Sequence, residues 1–412
     1  MPSTRVRIFT LGCKVNQCDS DEIAQSLAAR GYDVSGRGEA DTYIVNTCTV
    51  TATADAKARK LIRRLAREHP EATLIVTGCL AQRDPYSILE LPGVSAVIPN
   101  TRKLQLADFL SPLPGPLFPH PYLHTRTRAF LKIQDGCDHR CAYCVVPDAR
   151  GRPASKPLAQ ALAELTGLSQ AGVQEVVLCG IRLGAYGRDR GDAGLGLLLR
   201  RLRGIPIPRL RLSSIEPTDF DGPLLAELAD HPNLCHHLHL PLQSGDDDVL
   251  AAMGRGYTSA CFAELVSRVR AAWPDVALTT DLMVGFPGET DDQFARSLSF
   301  VRHLAFTRLH VFPYSRRPDT PAADRPHQVS THVKEDRTQQ ALSLAEELSQ
   351  AAARQWMGRP VSVLFEERAQ GGLLTGHSPH YVKVCAPGPD DWIGRILDVT
   401  PSREEKGELF AG

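Results

Sequence analysis

Three short apolar runs in the first hundred residues, VRIFTLGC, DTYIVNTC and ATLIVTGC, each end in a cysteine, and helical patterns lie between them. Runs this rich in Val, Ile and Thr read as strands. DSDEIAQSLAARGYDV reads as a helix with Asp19 or Ser20 as its cap, and TADAKARKLIRRLAREHP as a second helix closed by Pro70. Strand and helix alternating at this spacing predict a parallel sheet with helices on its faces, GVSAVIP adding a fourth strand. In such sheets ligands gather beyond the carboxyl ends of the strands. Cys13, Cys48 and Cys79 all stand at such ends, so the topology predicts that they converge. That points to an iron-sulfur site, with packed thiols as the alternative.

The alternation resumes after an interruption. SPLPGPLFPHPY, from Ser111, is fixed by its prolines as an extended linker. From Arg128 onward AFLKIQDGC, EVVLCG, RLRLSSIEP, HHLHLPLQSG, ALTTDLMVGFPGE and RLHVFPYS recur as apolar strands with helical segments between them. Six such repeats predict an open (β/α)6 partial barrel, whose chemistry belongs at the strand ends. Those ends carry Cys137, Gly180, Glu216, Gln243, Ser244, Gly285, Gly288 and Glu289. A long amphipathic helix follows, and the tail from Arg359 has short alternating runs broken by Gly, Pro and Asp, the pattern of a small β-barrel. The expected fold is α/β throughout its first two parts. Its boundaries are 1–111 for the N-terminal parallel domain, 112–127 for the linker, 128–345 for the partial barrel, and 346–412 for a helix and the C-terminal β-barrel.

The densest chemistry lies in IQDGCDHRCAYCVVP, where Cys137, Cys141 and Cys144 form a C-x-x-x-C-x-x-C array with Tyr143 before the last thiol. Three soft thiolates in one loop can hold an iron-sulfur cluster by three of its irons and leave the fourth open to a ligand. Other readings of three thiols are a structural zinc, with His139 as the fourth ligand, and unliganded cysteines. A ferredoxin loop differs in spacing and needs a further cysteine nearby.

With 47 basic and 47 acidic residues the chain has no net charge, so a nucleic-acid partner has to be argued from local patches. No apolar stretch is long enough for a signal peptide or a membrane span. Eleven cysteines are therefore read in a reducing cytoplasm, where clustered thiols serve metals or catalysis.

The ordered set TLGCKVNQ, IVNTCTVT, VTGCLAQ, IQDGCDHRCAYCVVP, LSSIEP, LPLQSGDDDVL, GFPGET and FPYSRRPDTPAA resembles the methylthiotransferases of the radical S-adenosylmethionine (SAM) superfamily over nearly the whole chain. The C-terminal barrel is similar to that family's TRAM domain. The resemblance implies two 4Fe-4S clusters, an auxiliary one on Cys13, Cys48 and Cys79 and a SAM-cleaving one on Cys137, Cys141 and Cys144. It also implies SAM as cofactor, an external electron donor and a sulfur source. Among the branches, TLGCKVNQ, VNTCTVT and KIQDGC look most like those of the enzymes that convert N6-threonylcarbamoyladenosine, beside the anticodon of tRNA, to its 2-methylthio form. Sister branches act on N6-isopentenyladenosine or on an aspartate of a ribosomal protein.

The C2–H of a purine is not acidic enough for a side-chain base, so a radical route must supply the reactivity while the protein positions and excludes water. For SAM the sequence offers the peptide around Tyr143 and Val145 toward adenine and Gly180 near the methionine amine. Glu216 is the expected acceptor from that amine, Gln243 and Ser244 the ribose contacts, and Gly285 and Gly288 backbone beside the base. Glu216 and Gln243 can equally be read as ordinary hydrogen-bonding residues, and the two glycines as turn residues. Cys18 is a possible substitute ligand in the first set.

RNA contacts are expected from Lys57, Arg59, Lys60, Arg63, Arg64 and Arg67, from RGRPASK, from RRLRGIPIPRLR, and in the tail from Lys383, Arg395 and Tyr381. A second enzyme class is a radical SAM protein whose N-terminal cluster only transfers electrons. Outside catalysis stands an iron-sulfur electron carrier or RNA-binding module.

Overall fold

Four strands, β1 (Val6–Thr10), β2 (Thr42–Thr47), β3 (Thr73–Gly78) and β4 (Val94–Val97), are hydrogen-bonded in that order, all parallel. Thr10 lies opposite Asn46 and Asn46 opposite Thr77, so the first three strands end level. Alternation along each strand divides the sheet into two packed faces. Tyr43, Val45, Leu74 and Val76 pack with Ala58, Ile62 and Leu65 of α2 (Ala52–Glu68). Ile44 and Ile75 point the other way, to Ile23 and Leu27 of α1 (Lys14–Ala28). Because both faces are covered, the strands read in sequence as continuous apolar runs.

The structure, a computed structural model, describes residues 4–34, 38–110, 127–191, 194–369 and 371–412. The expected linker, apart from Thr127, lies outside them. The chain divides into two compact units, residues 1–125, 134–154 and 315–320 forming the first and residues 126–133, 155–314 and 321–412 the second. The first unit therefore joins the parallel sheet to the central cysteine loop. It also holds α3 (Cys79–Arg83), α4 (Pro85–Leu89), α5 (Leu106–Leu110) and α6 (Val146–Arg150).

One sequence expectation moves. Helix α1 begins at Lys14 with Cys13 as its N-cap residue, so Asp19 and Ser20 lie inside the helix and are buried. The chain turns from β1 through Gly12, at φ 104°, directly into the helix. Asp19 is bound by cations instead of capping, as described below.

In the second unit β5 (Arg128–Lys132) opens the repeat. The two-residue strands β6 (Gln134–Asp135) and β7 (Ala154–Ser155) bracket the cysteine loop in sequence. Strand β5 pairs in parallel with β8 (Glu175–Cys179), and β8 with β9 (Arg209–Leu212). Strands β10 (His237–His239), β11 (Ala277–Val284) and β12 (Arg308–Pro313) form a second parallel trio. Bridges Leu210–Leu234 and Ser214–His239 join the trios into six strands in sequence order. Between successive strands run α7 (Leu158–Gln170), α8 (Gly194–Leu202), α9 (Gly222–Ala229), the pair α10 (Asp247–Ala252) and α11 (Ser259–Ala272), and α12 (Asp291–Leu304). Helix α13 (Thr331–Arg354) follows β12. This is the open (β/α)6 arrangement that the sequence predicts.

The tail forms one sheet of β13 (Val361–Arg368), β14 (Leu374–His377), β15 (Lys383–Ala386), β16 (Ile396–Val399), β17 (Pro401–Glu405) and β18 (Glu408–Ala411). Its order is β16-β13-β14-β15-β18-β17. The two edge strands are separated in sequence by Thr400 alone, so the sheet must curl until its edges meet, giving a small barrel. Val363, Phe365, Leu374, Val384 and Leu409 fill it.

Arginines fasten this barrel to the amino ends of the (β/α)6 strands. Arg211 donates to Glu175 at 2.8 and 3.1 Å and to the carbonyls of Ser378 and Pro379, each at 3.1 Å. Arg209 donates to the His377 carbonyl at 3.0 Å and to Ser362 at 2.9 Å, and Arg128 pairs with Glu366 at 2.8 Å. Arg211 also lies over the Tyr381 ring at 4.8 Å. Arg209, Arg211 and Tyr381, expected at an RNA surface, are thus interior fasteners.

Candidate iron-sulfur centre

Cys48 and Cys79 follow β2 and β3 directly and Cys13 follows β1 after Leu11 and Gly12, so three level strand ends bring the three cysteines near one another. Glycines make the approach possible. A Cβ on Gly12 would meet the Cys48 Cβ at 2.6 Å and its sulfur at 2.9 Å. A Cβ on Gly78, whose φ is 94°, would meet the Thr47 backbone at 2.5 Å. Asn16, one turn into α1 and 1% exposed, ties the loops together. Its Nδ2 donates to the Leu11 carbonyl at 2.7 Å and the Thr47 carbonyl at 2.9 Å, and the Cys79 thiol lies 3.9 Å from its Oδ1.

Burial pushes the Cys79 thiol up to about 11, an increase that Cys13 and Cys48 reinforce and Arg150 opposes. Burial also raises Cys48, with Cys13 adding to the effect. Cys48 therefore feels the charge of Cys13, and Cys79 that of both. The buried Cys48 and Cys79 thiols resist ionising without a metal to take the charge, Cys13 stands exposed beside them, and metal coordination deprotonates a thiol outright. Among the described residues no three His, Cys, Asp or Glu side chains converge on one ion's position. A cluster, by contrast, takes each thiolate on a different iron. The donor set fits such a group.

The second triplet lies in the same unit. Gly136, at φ 71°, starts the loop where a Cβ would overlap the Arg152 carbonyl at 2.1 Å. The Cys137 amide then donates to the Gly151 carbonyl at 3.1 Å, closing the loop at its base. Two backbone amides point at sulfur, His139 N–H to Cys137 at 3.4 Å and Val146 N–H to Cys144 at 3.5 Å. Such bonds favour thiolates and tune the potential of a cluster bound to them. Tyr143 is half-buried in this loop.

Residues that the sequence reading missed support both triplets. Arg150, on α6, donates to Asn16, to Asp19 at 3.1 Å and to Asp135 at 2.7 Å. Lys103 donates to Asp19 at 2.6 Å and Asn100 at 3.0 Å, and lies 3.5 Å from Asp135. Burial works against the Arg150 cation, but Cys79, Asp135 and Asp19 outweigh it and hold its pKa above the ordinary value. Arg317 donates to Thr49 at 2.8 Å and Asp55 at 2.6 Å, bracing the turn that follows Cys48. Asn16 stood in the quoted motif TLGCKVNQ and Arg317 in FPYSRRPDTPAA, but neither residue type announces a buried role. Cys18 is buried within α1.

In the second unit the expected SAM contacts all lie beyond carboxyl ends of (β/α)6 strands. Gly180 follows β8, and its amide donates to Ser213 at 3.3 Å. Glu216, beyond β9, is bonded by Arg255. Gln243, beyond β10, has φ 72°, unusual for a side chain of this kind, and its backbone pairs with Asp281 and Met283, each at 2.9 Å. Ser244 is fully buried, 3.1 Å from Ser297, and accepts the Asp246 amide at 3.2 Å. Gly285 and Gly288, at φ 72° and 87°, turn the loop after β11, and Glu289 accepts the Gly285 amide at 2.6 Å. Ser244 thus holds the start of α10, and Glu289 holds its own turn. Along β10 neighbouring histidines point to opposite faces. His237 and His239 both reach Thr279, whereas His236 packs on Trp273.

Of the basic residues, Lys57, Lys60, Arg63, Arg64 and Arg67 form an exposed face of α2. Arg59 is instead engaged by Asp84 at 2.6 Å. Arg150 of RGRPASK is interior, so its expected phosphate contact is replaced by the ion pairs above. Lys383 pairs with Glu408 at 2.8 Å and Arg395 lies 3.8 Å from Asp391. No helix among the described residues is long and apolar enough to cross a membrane.

Comparison with known proteins agrees with this geometry. Residues 5–99 match a family described as Uncharacterized protein family UPF0004, and residues 131–301 match the Radical SAM superfamily. The chain is 36% identical over 418 residues to the threonylcarbamoyladenosine tRNA methylthiotransferase MtaB of Bacillus subtilis, covering 96% of this chain and 93% of that one. It is 38% identical over 393 residues to the protein of the same name from Thermotoga maritima, covering 92% and 90%. A tRNA-2-methylthio-N(6)-dimethylallyladenosine synthase of Cereibacter sphaeroides is 37% identical over 414 residues, 95% and 94% of the two chains. The radical SAM methyltransferase TsrM of Kitasatospora setae shares the fold, with a TM-score of 0.59 at 19% identity over 78% of this chain and 77% of that one. The two cysteine triplets therefore sit in a chain that belongs to the radical SAM methylthiotransferase family.

Proposed function

We propose that this chain is a cytoplasmic tRNA methylthiotransferase that converts N6-threonylcarbamoyladenosine beside the anticodon to its 2-methylthio derivative. The observation that carries the reading is that two separate cysteine triplets occur in one compact unit, in a chain whose full-length relatives bear that enzyme's name. In this reading Cys137, Cys141 and Cys144 hold the cluster common to radical SAM proteins, and Cys13, Cys48 and Cys79 hold a second one. When bound, the first cluster supplies the electron for reductive cleavage of SAM, and the second offers iron where sulfur is handled.

The chain's own residues set the conditions for this chemistry. The His139 and Val146 amides stabilise the thiolates of the central loop, and Gly12 and Gly78 let the N-terminal loops close on each other. For SAM we assign the carboxyl-end loops of the (β/α)6 strands, with Gly180, Glu216, Gln243, Ser244, Gly285 and Gly288 as contacts. The exposed basic face of α2 supplies phosphate contacts to tRNA. An external reductant and a sulfur donor complete the reaction.

The relative from Cereibacter sphaeroides favours a second reading, in which the substrate is the N6-dimethylallyl base. Purified, anaerobically reconstituted protein should be incubated with SAM, a reductant, sulfide and anticodon stem-loops carrying either base. Methylthiolation of the threonylcarbamoyl stem-loop supports the first reading, and methylthiolation of the dimethylallyl one alone moves the chain to the second. With Cys141→Ala, 5′-deoxyadenosine production should stop while tRNA binding persists.

A further inference from the structure

We propose that Arg150 is a positioning residue for the cluster held by Cys13, Cys48 and Cys79, supplying the buried cation that offsets its negative charge and fixing the central cysteine loop beside it. The proposal rests on the auxiliary-cluster reading above.

Arg150 lies six residues beyond Cys144, yet its side chain does not serve its own loop alone. Its guanidinium reaches Asn16, the residue that binds the Leu11 and Thr47 carbonyls next to Cys13 and Cys48 and lies 3.9 Å from the Cys79 sulfur. One side chain therefore touches the support of all three N-terminal thiols. It is also 1% exposed, which excludes a role in gripping phosphate from solvent.

Charge counting shows why a cation is needed there. Arg150 and Lys103 face Asp19 and Asp135 in one network, two positive groups against two negative. Within it Arg150 is the cation that reaches Asn16, whose Oδ1 lies 3.9 Å from the Cys79 sulfur, and so lies toward the thiols. Replacing it by a neutral group would leave two carboxylates and one ammonium beside three thiolates, in a setting where charges are poorly screened. A reduced cluster carries one more negative charge than an oxidised one, so the guanidinium favours reduction. The step in question is transfer of one electron from an external reductant, with no bond made or broken in the protein.

The test uses the full chain with Cys137→Ala, Cys141→Ala and Cys144→Ala, so that only the N-terminal set can load. This parent, Arg150→Lys and Arg150→Gln are reconstituted anaerobically, their iron is counted, and the cluster is titrated with a chemical reductant followed by electron paramagnetic resonance. About four irons per chain are expected for the parent. The Lys variant should match it in iron and midpoint potential, and the Gln variant should titrate at a more negative potential. An unchanged potential in a fully loaded Gln variant would overturn the proposal. If the Gln variant fails to load, retention of iron by the Lys variant supports the charge argument. Loss from both assigns Arg150 a purely structural role and overturns it. A parent without iron removes the auxiliary cluster itself, a failure distinct from that of Arg150.

Discussion

The Asp19 carboxylate on α1 accepts from Arg150, beyond the central cysteine loop, at 3.1 Å, and from Lys103 at 2.6 Å. This buried contact joins the helix begun by Cys13 to the loop ended by Cys144. The two cysteine triplets, more than a hundred positions apart along parts of the chain, therefore share one set of supports.

Asn16 is the most connected neutral member of that set. Asn16→Ala would leave the Leu11 and Thr47 carbonyls without the Asn16 donor and remove one of the three acceptors of Arg150, at a cost of roughly 1–3 kcal/mol for each buried group left unpaired. Chemical denaturation should show the lower stability. Iron analysis should show loss confined to the N-terminal triplet, leaving about four irons per chain.

Gly78→Ala tests the close approach of the strand ends. The added methyl would meet the Thr47 backbone at 2.5 Å and the Asn46 side chain at 2.4 Å, in a left-handed conformation that L residues rarely adopt. Cys48 and Cys79 should be displaced from each other, and the auxiliary iron lost. A variant retaining all its iron would show that the strand ends yield more readily than their packing implies.

The strands were legible in the sequence because burial on both faces demands continuous apolar runs, and parallel topology then placed three cysteines at level strand ends. The (β/α)6 repeat was legible for the same reason. The interior charges were not. Arg150, Arg209 and Arg211 read as basic surface residues, since a sequence does not reveal that Asp19, Glu175 and main-chain carbonyls await them. The start of α1 was misplaced because Asp19 and Ser20 resemble caps, whereas Gly12 turns the strand straight into the helix.

Arg211→Ala should destabilise the second unit, by less than the ~3–5 kcal/mol of a fully unpaired buried charge, because Glu175 would lose both Arg211 bonds but keep Arg128 at 3.8 Å and Arg209 at 3.9 Å. Arg211→Met combined with Glu175→Leu should recover much of the loss, since it removes both charges. Denaturant melts of the two variants distinguish this from simple loss of packing.

Acid should weaken the seat of the C-terminal barrel. Burial, reinforced by the neighbouring His236, holds the His380 imidazole at about 4, and its Nε2 has no hydrogen-bond partner among the described residues. Asp275 pulls the other way, and Arg209 and Arg211 add to the depression. An unfolded histidine titrates near 6.5, so between about pH 6.5 and 4 the unfolded chain binds the extra proton. The neutral side chain's contribution is fully present above that window and is lost as pH falls through it. Melting temperatures should drop from pH 7.5 to pH 5, and His380→Phe should flatten the dependence.

The central claim is that this chain adds a methylthio group to threonylcarbamoyladenosine in tRNA. Mass spectrometry of nucleosides from total tRNA, with and without the gene, tests it most directly. Without the gene the 2-methylthio nucleoside should disappear while its unthiolated precursor accumulates. An unchanged level of that nucleoside would contradict it, and loss of the methylthio-isopentenyl form instead would assign the chain to the sister branch.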